Sequence, residues 1–136
     1  MGKKLCFFSM FVLTILLLCG CSLKTAGTEK IRDLEYTVLA ESEIPESLLQ
    51  KIEEEKSDDL KLTWRDGDDL YIVRGFGMQE TGGYSIQMKE FYLTDNAVCF
   101  KAELIGPENS EDAEKVVSYP YIVIKTERLE ENVIFE

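Results

Sequence analysis

From Leu60 to the last residue the chain repeats one device: a short run with apolar side chains at every second position, closed by a turn signal. A period of two buries one face of a β-strand. LKLTWR places Leu60, Leu62 and Trp64 on one face. Asp66-Gly67-Asp68-Asp69 then marks a turn, and DLYIVRGFG follows as the next strand. YSIQMKEFYL starts with Tyr84, Ile86 and Met88 in phase, but Phe91 and Leu93 fall on odd positions. A bulge near Lys89 to Glu90 would restore the register. Asp95-Asn96 reads as a tight hairpin turn. NAVCFKAELI returns with Val98, Phe100, Ala102 and Leu104 inward, GPENSEDAEK is a loop, and PYIVIKTE and NVIFE supply two last strands.

Two elements precede this series. EYTVLA, around Glu35 to Ala40, reads as a short strand. One helix is expected over about Pro45 to Glu55, because Ile44, Leu48 and Ile52 recur every four residues and Pro45 suits a first helical turn. Its other face holds Glu53, Glu54 and Glu55, the pattern of a solvated surface. The fold class is therefore mainly β: a small antiparallel sandwich or barrel with one short helix across an end or a face.

The N-terminus carries a different signal. Lys3-Lys4 is followed by an apolar run from Leu5 to Cys19, broken only by Ser9 and Thr14. The run is short of the about 20 residues that a spanning helix needs, and a basic cap before it reads as a secretory signal. It ends in LCGC, residues 18–21, which resembles a bacterial lipobox. That resemblance implies cleavage between Gly20 and Cys21 and a diacylglyceryl group on the Cys21 thiol. The expected organisation is a signal over residues 1–20, a lipidated cysteine with a flexible tether over 21–33, and a β-rich domain over 34–136. The expected location is the extracytoplasmic face of the cell membrane, held by lipid on Cys21.

Charge and composition narrow the function. After Gly20, 13 basic residues stand against 26 acidic ones, a net charge of −13. That balance argues against nucleic acid and against a domain lying on an anionic bilayer. Two acyl chains anchor stably, so the lipid holds the protein while the charge keeps the domain in solvent. Once Cys6 and Cys19 leave with the signal and Cys21 is acylated, Cys99 is the one remaining thiol, and no internal disulfide is possible. Its setting in AVCFKAEL is that of a small buried hydrophobe. The chain has no histidine, which removes His-based catalytic triads and most zinc sites. Asp66, Asp68 and Asp69 cluster without the spacing of a calcium loop. No catalytic residue, metal site or cofactor is expected.

What remains is the glycine-rich connection. Gly75, Gly77, Gly82 and Gly83 crowd between two strands. Glycine permits bends and close backbone approach. The connection is either a structural arch or a loop that presents Thr81, Gly82, Gly83 and Tyr84 to a partner from a rigid sheet.

Thr81-Gly82-Gly83-Tyr84, followed later by Tyr119-Pro120-Tyr121 and a Val/Ile strand, resembles the PrcB C-terminal domain family, named for an accessory lipoprotein of a bacterial surface protease complex. The likeness covers about Leu60 to Phe135. It implies a non-catalytic subunit that supports or stabilises an exported protease or another envelope protein. It adds Tyr119, Pro120 and Tyr121 to Thr81–Tyr84 as partner-binding candidates. A fainter likeness is to chagasin-like inhibitors of cysteine proteases, whose inserted loop is matched by Thr81, Gly83 and Tyr84, with Gln79-Glu80 where those inhibitors carry Asn-Pro. It implies a protease inhibitor as the alternative function.

Overall fold

The computed structural model describes residues 29–109 and 113–136. The signal segment, Cys21 and most of the tether lie outside the described residues. The element order is β1 (Arg32–Asp33), β2 (Thr37–Val38), a 3-10 turn (Glu41–Glu43), α1 (Glu46–Glu55), β3 (Asp59–Asp66), β4 (Asp69–Phe76), β5 (Ser85–Leu93), β6 (Ala97–Ile105), β7 (Tyr121–Glu127) and β8 (Asn132–Phe135).

Two four-stranded sheets form a sandwich, in the orders β1-β5-β6-β8 and β2-β7-β4-β3. The sheets stay open at their edges, so the sandwich and not the barrel is realised. Leu70, Ile72, Ile122 and Ile124 from one sheet meet Phe91, Val98, Phe100 and Ala102 from the other, with Leu34 and Leu129 closing the ends. Phe91 and Phe100 meet edge-on, with ring centroids 6.1 Å apart.

The helix lies on a face, not an end. Ile44, Leu48 and Ile52 pack on Leu60, Tyr71, Val73 and Val123, the opposite side of the β2-β7-β4-β3 sheet. That sheet is therefore the middle of three layers. This explains why YIV in β4 and IVI in β7 are continuously apolar: both faces of these strands are covered. Leu48 and Ile52 are fully buried. Each such side chain contributes about 1.5–3 kcal/mol by leaving water.

The expected bulge is present. Met88 pairs with Ala102 and Glu90 with Lys101, leaving Lys89 without a partner in the ladder. The extra residue lets Ile86 and Met88 on one side of it, and Phe91 and Leu93 on the other, all turn toward the inter-sheet core. The acidic turn is the expected hairpin. Asp66 pairs with Asp69, and Gly67 takes φ +58°, the conformation a two-residue loop needs at its first position. Arg128 donates to both turn carbonyls, through its side chain to Gly67 and its backbone N–H to Asp68.

Three expectations are corrected. The tether ends before Asp33: Arg32 and Asp33 pair with Leu93 and Tyr92, and Ile31 N–H donates to Leu93 O at 2.7 Å. Backbone pairing and the exposed ion pairs Lys30–Asp33 and Arg32–Glu127 hold this two-residue strand, so no apolar period announces it. EYTVLA is a strand only at Thr37–Val38, because the chain there crosses from one sheet to the other, with the Thr126 hydroxyl donating to Glu35 O at 2.7 Å. The ladder is not wholly antiparallel. After β7 the segment 128–131 crosses to the other sheet, and β8 runs parallel to β6. Arg65 grips that crossover, donating to Leu129 O and Glu131 O.

Candidate functional site

β4 ends and β7 begins at one edge of the sandwich, and the chain segments beyond them stay together. Phe76 N–H donates to Pro120 O at 3.1 Å. Gln79 and Ser118 exchange backbone bonds of 2.8 and 3.0 Å as an isolated antiparallel bridge. Gly82 N–H donates to Glu114 O at 2.9 Å, and the Ser118 hydroxyl donates to Thr81 O at 2.6 Å. The glycine-rich connection is thus one arm of a two-armed ribbon, residues 76–84 against 114–120, that prolongs the β4–β7 pair beyond the sheet.

The glycines give the ribbon its path. Gly77 has φ +74° and passes close to the backbone of Ser57 and Asp58, where Met78 N–H reaches Ser57 O at 3.3 Å. Gly83 has φ +86°, and a Cβ there would lie 3.0 Å from the Cβ of Pro107. Both the left-handed backbone and the close approach of Pro107 disfavour a side chain at Gly83. Gly82 has an ordinary φ and only Glu114 nearby, at 3.8 Å or beyond. The Tyr84 ring rests beside Gly106.

The candidate residues do not share one role. Thr81 and Gly82 are half-buried and tied to the opposite arm, while Gly83 is exposed. Tyr119 lies beneath Lys56, whose Nζ stands 5.2 Å from the ring centroid. Glu53 bonds the same ammonium at 2.7 Å and raises its pKa. Pro120 serves the ladder through its carbonyl. Tyr121 begins β7 and packs on the helix-side cluster, so its ring belongs to the core more than to a surface. Burial raises its phenol pKa, and the Glu41 and Glu53 charges add to that.

The residues that sequence patterning missed are the exposed apolar ones. Met78 is 56% exposed, Val116 59% and Val117 45%. Gln79–Ser118 pairing places Met78 and Val117 within one register step of the bridge, on opposite arms. The available signal was Val116-Val117 itself, an apolar pair that belongs neither to the polar loop before it nor to β7. Charged side chains surround the ribbon: Glu80 and Glu114 on its arms, and Arg74 at its base. Arg74 bonds Asp59 at 2.8 Å and lies 4.2 Å from the Phe76 centroid.

Among the described residues no group of three or more His, Cys, Asp or Glu side chains is placed to hold a metal ion. An open polar hollow lined by Tyr36, Asp69, Lys125, Thr126 and Glu127 lies at the other end of β4, about 20 Å from the ribbon at the rise of a β-strand. The ribbon is a solvent-facing backbone scaffold that carries apolar side chains.

The family model described as PrcB C-terminal matches residues 70–127. No curated protein and no solved structure matches the chain. The matched segment runs from β4 through β7 and contains both arms of the ribbon, with Thr81–Tyr84 and Tyr119–Tyr121 inside it. Over residues 70–127 the chain is similar to the PrcB C-terminal family.

Proposed function

We propose that this protein is a non-catalytic accessory module, held outside the cytoplasmic membrane by lipid on Cys21, that docks an exported protein through the ribbon. The observation that carries the reading is the exposure of Met78, Val116 and Val117 on one projecting element. Exposed apolar side chains gathered on such an element mark interaction surfaces. The PrcB-like segment supports an accessory role, and a surface protease is the partner that role suggests. The lipobox-like LCGC and the acidic domain fit an anchored protein whose folded part stays in solvent.

The test is co-purification of the full-length lipidated chain from detergent-solubilised membranes, beside Val116→Glu. The reading expects an exported protein to accompany the parent and not the variant, and any protease so recovered to be active. Stoichiometric inhibition of that protease would overturn the accessory role. Equal recovery by parent and variant would overturn the ribbon as the docking surface. Release of Cys21→Ser from membranes, with loss of fatty-acyl labelling, tests the anchor separately.

A further inference from the structure

The second long surface feature is an edge. β3 is the outer strand of its sheet and pairs with β4 alone over eight residues, Asp59–Asp66. The other outer strands are short: β1 and β2 have two residues each and β8 has four.

The two-residue turn fixes which backbone groups of β3 are used. The pair flanking such a loop, Asp66 and Asp69, exchanges both hydrogen bonds, and bonded pairs then alternate. Leu60, Leu62, Trp64 and Asp66 therefore face β4, while Asp59, Lys61, Thr63 and Arg65 direct N–H and C=O outward. Phe76 N–H bonding Pro120 O on the far side of β4 agrees with this alternation. Among the described residues, none of the four outward N–H groups has a backbone partner.

Charges on an edge strand ordinarily discourage pairing. Here they select a register. If two copies of β3 meet antiparallel about a twofold axis at Leu62, Asp59, which Arg74 of its own chain already bonds, falls opposite Arg65 of the other copy, which keeps its bonds to Leu129 O and Glu131 O. Lys61 then faces Thr63, Leu60 faces Trp64, and Leu62 faces itself. A shift of two residues sets Lys61 against Arg65 or against another Lys61. A shift of one mixes the apolar face with the polar one. Only the Leu62-centred register joins opposite charges while continuing the apolar row of Leu60, Leu62 and Trp64, all three of which pack with the helix-side cluster.

We propose that a second copy of this chain occupies the β3 edge, in the Leu62-centred antiparallel register, making one continuous eight-stranded sheet from two four-stranded ones. The surface is distinct from the ribbon and does not depend on it. Outward bonding at Asp59, Lys61, Thr63 and Arg65 supplies the ladder, and at its two ends the Arg74-bonded Asp59 of one copy adjoins Arg65 of the other.

The test uses the full-length chain in detergent, with two variants and a control. In a non-bonded antiparallel pair the Cα atoms lie about 4.5 Å apart, within disulfide range. Leu62→Cys is expected to form an interchain disulfide on mild oxidation beyond the parent background, and Asp66→Cys, far from its symmetry mate, is not. Thr63→Pro removes an outward donor without touching the β3–β4 bonds, as edge strands tolerate. Twofold symmetry then removes two hydrogen bonds, and sedimentation should read dimerisation about thirtyfold weaker than in the parent. Three results would overturn the proposal: a parent that sediments as a monomer at all concentrations, Asp66→Cys crosslinking as readily as Leu62→Cys, or a folded Thr63→Pro that dimerises like the parent. If Thr63→Pro fails to fold, the cysteine pair decides alone.

Discussion

The Ser118 hydroxyl donates to the Thr81 carbonyl at 2.6 Å, joining two points 37 residues apart in the chain. This bond adds to the main-chain bonds at Gln79–Ser118 and Gly82–Glu114 that hold the glycine-rich connection as one arm of a defined ribbon. Ser118→Ala should leave the Thr81 carbonyl to water and loosen that arm. The expected cost is about 1 kcal/mol, read as a fall of roughly 4–8 °C in Tm for a domain of this size. Proteolysis near Thr81 should quicken in the same variant.

Gly82 and Gly83 should respond oppositely to alanine. Gly83→Ala meets both a φ of +86° and the Pro107 side chain, so a loss of about 1 kcal/mol or more is expected. Gly82→Ala has space and an ordinary backbone, and should be neutral or slightly stabilising. Chemical denaturation of the two variants side by side separates them.

The ionisation of Tyr121 gives a pH test with a definite sign. Burial raises its folded pKa above the unfolded value of about 10. The neutral phenol therefore contributes stability that is fully present below pH 10. It is lost as pH rises from there through the folded pKa, because the unfolded chain releases its proton first. Tyr121→Phe should flatten the decline in Tm above pH 10 and leave the neutral range little changed.

Deleting Lys89 should be worse than replacing it. Lys89→Ala keeps the bulge and alters an exposed position. Deletion removes the extra residue, and either Ile86 and Met88 or Phe91 and Leu93 must then turn outward. Losing burial of two such side chains should cost about 2 kcal/mol or more in equilibrium unfolding.

The bulge also shows how far the sequence could be read. The slip of phase between Met88 and Phe91 is a local pattern, and it located the extra residue directly. Leu48 and Ile52 likewise announced a helix through their spacing. β1 escaped because Arg32–Asp33 is held by backbone bonds and carries no apolar alternation. The direction of β8 escaped because it depends on where the 128–131 crossover lands, held by Arg65 on carbonyls far along the chain. At the candidate site, Thr81–Tyr84 and Tyr119–Tyr121 were legible as unusual residues. Their union was not, since main-chain bonds between Gln79 and Ser118 and between Gly82 and Glu114 leave no mark on side-chain pattern. Tyr121 shows the reverse: a conspicuous aromatic whose ring packs into the helix-side core.

The ribbon as a docking surface is the central claim, and site-specific photocrosslinking tests it most directly. A photoreactive residue would replace Val116 or Met78 on the ribbon, or Ile134 on β8, each exposed in the isolated chain. After irradiation in cells that express the full-length protein, Val116 and Met78 should trap the same exported protein, and Ile134 should not. Trapping of that protein equally from all three positions, or from Ile134 alone, would contradict the account.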